Sequence, residues 1–258
     1  MPASYAHYRF GQKLLESLPP ELRRYPRNFR QLFLVGLQGP DPFFYHNPLI
    51  KTKTVKLGST LHRQTGKEFF NYACAAVSSD AAKAYLLGLL GHYCLDSLCL
   101  PFVHQHTDQG SISHVELETE FDRFLLKTDG VAAPHTFDMS PNISLTWGEC
   151  VTAAAFFPQL KPEEMRTSVK RMASFRRLLA TPKAKKRRFL GKLMTIPGGQ
   201  LRHHLMHERR NTNCSHLNGE LLALFDQAVE RYPVLLEQIM ALMERSTPLG
   251  AEFDPDFG

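Results

Sequence analysis

Hydrophobic residues recur along most of the chain at the three- and four-residue spacing of amphipathic helices. The strongest pattern begins at Ser79-Asp80, which caps a helix running to about Cys99, where Pro101 ends or kinks it. No segment keeps the two-residue alternation of a strand, and no internal repeat occurs. We therefore predict an all-α fold.

Polar residues mark where several helices begin. Asn28 is placed to cap one helix, and Ser113 with Glu116 has the spacing of a capping box at the start of another. Residues 38–56 are rich in Gly, Pro, Asn and aromatic residues and predict a long functional loop. The other predicted helices cover residues 10–18, 28–36, 59–76, 113–127, 145–157, 162–179, 183–194 and 218–243, the last interrupted at Pro233.

The composition is that of a globular protein, with 258 residues, 43% hydrophobic and 22% charged. We predict a core at 1–130 with a C-terminal helical region at 131–258 packed on it. No apolar run reaches the roughly 20 residues of a membrane span, and the first residues lack the apolar segment of a signal peptide. The five cysteines form no CxxC pair, so we expect reduced thiols and a cytoplasmic protein.

Positive charge is concentrated in one block. Residues 161–210 contain 15 Lys/Arg and 3 Asp/Glu, although the whole chain carries only +6. Such a block is typical of an anionic partner, either a phospholipid surface or nucleic acid, but also of a solvated helix face. The basic run at 183–188 lacks the interleaved aromatics of base-stacking proteins, so nucleic acid is the less favoured partner. We expect peripheral contact with an anionic membrane through 161–210.

Two histidine–carboxylate pairs indicate metal chemistry. His92 and Asp96 are four residues apart in the most apolar predicted helix, so both leave one helix face. His114 and Glu118 repeat this spacing on the next helix. A buried carboxylate is costly unless it is paired or metal-bound, and two such helices facing each other would form a four-ligand set suited to zinc. Each pair alone is also compatible with a simple hydrogen bond.

These residues resemble the zinc-dependent phospholipases C of bacteria, whose fold is related to the S1/P1 nucleases. The resemblance rests on residues 85–96, on Pro101 and on His114-x-x-x-Glu118. It extends to Tyr-Ala-His-Tyr near the start and to Gly-Leu-Gln-Gly-Pro-Asp at 36–41, and covers about residues 1–125. The chain is particularly similar to a signal-less branch from Gram-positive bacteria. The resemblance implies a single helical domain of the phospholipase C/P1 nuclease type with an additional C-terminal lobe.

The resemblance also implies a site for two or three zinc ions. Asp96 would bridge two of them, and Asp41 would both bind metal and act catalytically by orienting or deprotonating the attacking water. The implied metal ligands are His7, Asp41, His62, His92, Asp96, His104, His114 and Glu118.

Three departures from the family pattern concern this site. Leu100 and Phe102 stand where relatives have histidines, with His104 as the nearest replacement and His106 as the second. The secreted relatives also bind one zinc through an N-terminal amine, which here would be that of Pro2 after loss of the initiator methionine. Because Leu100 and Phe102 take the places of these histidines, the zinc held by His114 and Glu118 is the least secure of the three.

The resemblance implies hydrolysis of a phosphodiester, most simply of a phospholipid, by metal-activated water. A nuclease or nucleotidase of the same fold is one alternative. The other is a non-catalytic phosphate- or zinc-binding helical module, which Leu100 and Phe102 favour. Zinc stoichiometry distinguishes the classes, since two or three ions per chain support catalysis.

Overall fold

The structure is a computed structural model that describes residues 4–47, 50–107, 112–195 and 200–257. The all-α prediction is confirmed, because these residues contain eleven α-helices and no named strand. The helices are α1 (Ser4–Ser17), α2 (Pro20–Asn28), α3 (Arg30–Gly36), α4 (Lys53–His62), α5 (Gly66–Ala75), α6 (Asp80–Thr107), α7 (His114–Thr128), α8 (Trp147–Ala154), α9 (Pro162–Leu179), α10 (Ala184–Leu193) and α11 (Asn218–Arg245).

Helix α6 lies at the centre of the fold, and α1, α2, α3, α7 and α11 pack around it. By length and composition it could cross a membrane, but 83% of its most apolar window is buried inside the protein. The predicted end near Cys99 is wrong, since α6 continues through Pro101 to Thr107. Leu100, just before the proline, and Val103, just after it, pack in the core, and this burial holds the last turns in helical form.

Two glycines let the backbones of α3 and α6 touch. A Cβ built on Gly36 would lie 2.5 Å from the carbonyl oxygen of Tyr85, and one on Gly88 would lie 2.3 Å from that of Phe33. Any side chain at either position would force the helices apart. This close contact fixes the end of α3, and the loop that follows it, against the middle of α6.

Several helix boundaries differ from the prediction because local caps compete with the hydrophobic pattern. The predicted helix 59–76 is two helices, with Thr65 Oγ1 accepting a hydrogen bond from Glu68 N to start α5. Asn28 ends α2 instead of capping α3. The predicted loop 38–56 contains a 3-10 turn at Asp41–Tyr45 and the first turn of α4.

Other boundaries follow the prediction. Ser113 Oγ accepts from Glu116 N at the start of α7, and α9 covers the predicted residues.

The predicted interruption of the last helix is wrong, since α11 runs without a break through Pro233. All five cysteines are free thiols, as expected.

Candidate metal centre

Helix α6 places His92 and Asp96 side by side in the interior. His92 Nε2 lies 3.2 Å from Asp96 Oδ2, and both side chains are buried. His7, on α1, approaches from the other side: its Nε2 is 3.1 Å from Asp96 Oδ1, and its ring stacks on that of His92 at 4.6 Å between centroids. These three residues form a cluster whose ligand atoms all lie within 4.8 Å of one another.

A second cluster shares His92 with the first. It contains Asp41, which opens the 3-10 turn after α3, and His62, the last residue of α4. His62 Nε2 lies 3.1 Å from Asp41 Oδ1, and both side chains are buried. Because His92 belongs to both groups, five of the eight predicted ligands form one continuous metal-capable centre.

The loop carrying Asp41 reaches His92 only because residue 39 is glycine. Gly39 has φ +53°, a left-handed conformation that favours glycine. A Cβ built there would lie 2.2 Å from His92 Cδ2. Gly39 therefore meets two demands at once, since a side chain would be strained and would also clash with the imidazole.

Backbone carbonyls orient two of the imidazoles. His62 Nδ1 lies 2.8 Å from Gly58 O, and His92 Nδ1 lies 3.2 Å from Leu37 O. Because a carbonyl can only accept, each Nδ1 carries a proton, and the Nε2 atom on the other side of each ring faces the carboxylates. This arrangement is typical of metal-ligating histidines.

Unpaired buried atoms indicate that the centre fits a cation. Among the described residues, His92 Nε2, Asp96 Oδ2 and Glu118 Oε2 are buried and make no hydrogen bond, although the first two lie 3.2 Å apart. Such atoms cost about 1–3 kcal/mol each if nothing binds them. Two ligands about 2.0–2.1 Å from one tetrahedral zinc are about 3.3 Å apart, close to the 3.0–3.2 Å of the histidine–carboxylate pairs. The donor set and its spacing therefore fit zinc.

The protonation states suit metal binding. Burial opposes ionisation of Asp96, but His92 and His7 outweigh it, so the pKa of this carboxyl lies below its ordinary value. The pKa of Asp41 is also lowered despite burial, with His62 and His92 among the groups that favour its ionised form. Burial, with His7 nearby, lowers the pKa of His92 to about 4 even though Asp96 opposes the shift. Near neutral pH the centre holds ionised carboxylates and a neutral imidazole, the forms that bind metal.

His114 and Glu118 form a separate pair on α7, with 3.0 Å between Nε2 and Oε1. Burial lowers the pKa of His114, but Glu118 outweighs it and the net shift is upward. Among the described residues, neither belongs to a group of three that could share an ion. The predicted four-ligand set is thus two pairs, although Glu118 and Asp96 line one small cavity.

The family departures cluster beside this pair. Leu100 is buried in the same small cavity as Asp96 and Glu118, so an apolar side chain occupies that wall. His104 is exposed, with its ring 5.2 Å from that of His114. His106 instead contacts Phe102 O through Nδ1 at 2.8 Å. The amine of Pro2 lies outside the described residues.

A large cleft of about 1020 Å³ opens beside the centre, and both His62 and His114 line it. Its charged side chains are Lys51 and Arg171, and its described lining contains no carboxylate. Its walls are largely apolar: Phe44, Tyr45, Ile50, Val55, Val115, Phe175, Leu178 and Leu201. Arg171 and His204 also line the cleft, because α9 and the 3-10 turn at Gln200–His204 reach it through tertiary packing, which local sequence patterns do not predict.

One positioning residue was also missed. Asp122, on α7, accepts hydrogen bonds from the backbone N–H of Tyr5 at 3.1 Å and of Ala6 at 2.8 Å. It thereby anchors the first turn of α1, which carries His7. A signal was present in the sequence, because Asp122 lies four residues after Glu118 and so on the same helix face.

Comparison with known proteins agrees with this geometry. The family model described as zinc dependent phospholipase C matches residues 6–156, which include the five clustered residues and the His114–Glu118 pair. No curated protein and no solved structure matches the chain. The match covers more than half of the 258 residues, and the chain therefore belongs to the zinc-dependent phospholipase C family.

Proposed function

We propose that this protein is a zinc-dependent phosphodiesterase that hydrolyses a phospholipid in the manner of a phospholipase C. One observation carries the proposal: His62 belongs to the metal-capable centre and also lines the cleft. A substrate in the cleft would therefore meet the centre directly. The cleft matches an anionic amphiphile, because apolar walls surround two cationic side chains and no described carboxylate.

Each group would have a distinct role. His92, whose Nε2 is its single free ring nitrogen, would hold one ion together with His7 and Asp96, and Asp41 and His62 would hold a second. Zinc, when bound, supplies Lewis-acid chemistry that activates water and offsets phosphate charge.

Substrate contacts would come from the protein around the ions. Asp41, ionised and beside His62, would accept a proton from the attacking water. Arg171 and Lys51 would bind the phosphodiester oxygens, and Phe44, Phe175 and the other apolar side chains would hold the acyl portion.

We also propose that the protein works in a reducing compartment, the cytoplasm, at the surface of an anionic membrane. Five free cysteines, four of them buried, support a reducing environment. The positive charge of residues 161–210 supports contact with anionic lipid.

The test combines metal analysis with an assay of product. Protein purified without chelator should contain zinc and should release diacylglycerol and a phosphorylated head group from phospholipid micelles. Arg171→Gln should lower kcat/KM about tenfold or more, since a charge-assisted hydrogen bond to phosphate is lost. Arg166→Gln is the matched control, because Arg166 lies on the same helix but over the ring of Trp147.

A non-catalytic zinc- or phosphate-binding module is the second candidate, and Leu100 favours it by placing an apolar wall beside Asp96 and Glu118. Protein that binds at most one zinc and hydrolyses no phosphodiester would support this candidate. Cleavage of single-stranded DNA without cleavage of lipid would instead indicate a nuclease. Metal-free protein with full activity would overturn the zinc mechanism.

A further inference from the structure

Helix α10 exposes two large apolar side chains and carries exposed lysine and arginine side chains close to them in sequence. Phe189 is 64% exposed and Leu193 is 49% exposed. They are four residues apart in the helix, so they project from one face. Exposed large side chains grouped in this way indicate a contact surface.

The charged residues of α10 itself are all of one sign. Helix α10 contains no Asp or Glu. Its exposed cations are Lys185, Lys186, Arg188 and Lys192. Lys185 lies four residues before Phe189, so it shares the same face. An apolar pair flanked by lysines fits the interface of an anionic bilayer, where the rings enter the lipid and the ammonium groups meet phosphate.

The opposite face of α10 is anchored to the body of the protein. Leu190 and Met194 are buried with Leu179, and Phe175 and Leu201 pack against this small cluster. The same face is fixed by Arg187, whose guanidinium donates to the carbonyls of His135 and Leu179 at 3.2 and 3.4 Å. The helix is therefore presented with a fixed apolar face.

The anchoring residues connect α10 to the cleft. Phe175 and Leu201 pack against the Leu190 cluster and also line the cleft wall. Leu178, 37% exposed, and Ile50, 64% exposed, belong to the same cleft. The buried face of α10 and the cleft wall therefore share residues, which places the helix next to the cleft.

We propose that α10 is the membrane-docking surface of this protein, with Phe189 and Leu193 inserted into an anionic bilayer and the surrounding lysines bound to its phosphates. The proposal rests on the membrane contact proposed above for residues 161–210. It assigns that contact to one helix and adds two apolar side chains, Phe189 and Leu193, which the charge pattern did not indicate. Docking does not depend on hydrolysis, so it can be tested without the proposed reaction.

The experiment is vesicle cosedimentation with the full chain. Wild-type protein should bind vesicles of equal phosphatidylcholine and phosphatidylglycerol much more strongly than pure phosphatidylcholine vesicles. Phe189→Ser combined with Leu193→Ser should weaken binding about tenfold or more. Lys185→Gln combined with Lys186→Gln should weaken it about fivefold per lysine. Val234→Ser, at an equally exposed position on α11, should have no effect.

Hydrolysis of a soluble chromogenic phosphodiester separates docking from catalysis. The α10 variants should keep wild-type activity on this substrate and an unchanged Tm, so reduced vesicle binding cannot come from misfolding or a damaged centre. Equal binding by wild type and the Phe189/Leu193 double variant would overturn the proposal. So would absence of a preference for anionic vesicles. Tight binding to duplex DNA that depends on the lysines but not on Phe189 and Leu193 would reassign α10 to nucleic acid.

Discussion

Gly39 lies directly against the imidazole of His92, with no room for a side chain between the loop and helix α6. The contact places Asp41 in the same cluster as His92. Replacing Gly39 by alanine should therefore damage the metal centre and destabilise the fold. Gly39→Ala should lower both the zinc content and the Tm.

A matched control separates the clash from backbone strain. Gly130 also has a positive φ, +82°, but a Cβ built there meets nothing within 4 Å. Gly130→Ala should cost about 1 kcal/mol of stability from strain alone and leave the zinc content unchanged. Equal effects of the two substitutions, by thermal unfolding and elemental analysis, would show that contact with His92 is unimportant.

Asp122 gives the second prediction, because it anchors α1 and is fully buried. Burial raises its pKa to about 7, against the lowering effects of Arg176 and of the Tyr5 and Ala6 hydrogen bonds. In the unfolded chain an aspartate has a pKa of about 3.9. The native state therefore holds this proton more tightly. Protonation of Asp122 therefore adds to the free energy of unfolding. This contribution is complete at low pH and is lost as the pH rises from about 4 through about 7.

Asp122→Asn removes this titration while keeping one acceptor for the backbone of α1. The free energy of unfolding of wild type, relative to the Asn variant, should fall between pH 4 and pH 7. Urea unfolding at several pH values and one free zinc concentration measures this difference. A difference that grows with pH would mean that the two backbone hydrogen bonds outweigh burial. Asp122→Ala should be about 1–3 kcal/mol less stable than Asp122→Asn at each pH, because two buried N–H groups lose their acceptor.

Local sequence patterns predicted the parts of the site that lie within one helix. The four-residue spacing of His92 and Asp96, and of His114 and Glu118, gave two real side-chain contacts. The helix cap at Ser113 was also predicted correctly, because capping depends on residues that are close in sequence. The family resemblance added His7, Asp41 and His62, which the spacing alone could not connect to α6.

Contacts between distant segments could not be predicted in this way. The close approach of Gly39 to His92, the anchoring of α1 by Asp122 and the cleft wall from α9 each join residues far apart in sequence. The same reason explains why α6 passes Pro101, since buried Leu100 and Val103 hold a helix that local propensity would end. The facing arrangement of the two pairs likewise depended on helix packing, which sequence spacing does not specify.

His92 gives the third prediction, because it can bind one ion through Nε2 while its ring packs against His7 of one cluster and against Gly39, next to Asp41 of the other. His62 belongs to one cluster alone. His92→Ala should lower the zinc content more than His62→Ala does. His216→Ala is the control, since His216 is exposed and outside both clusters. Elemental analysis after dialysis against limiting zinc measures the difference, with circular dichroism to establish folding. Equal zinc loss in the His92 and His62 variants would mean that the His92 ring does not support both clusters.

Leu100 gives the fourth prediction, because it lines the small cavity between Asp96 and Glu118. Glu118 Oε2 is buried there without a hydrogen-bond partner, so the cavity has carboxylates but lacks an imidazole at this wall. Leu100→His would add the donor that the family resemblance leads us to expect at this position. The variant should bind more zinc per chain than wild type, in the position beside Glu118.

The stability of this variant should depend strongly on zinc. A buried imidazole in place of Leu100 loses packing and hydration, so without metal Leu100→His should unfold at a lower temperature than wild type. Zinc should raise its Tm more than it raises that of wild type, because binding compensates the buried polar group. Leu100→Asn, polar but a poor zinc ligand, should be destabilised without this zinc-dependent recovery. Equal zinc content in wild type and Leu100→His would show that no ion position exists beside Glu118, and His114 and Glu118 would then be a hydrogen-bonded pair alone.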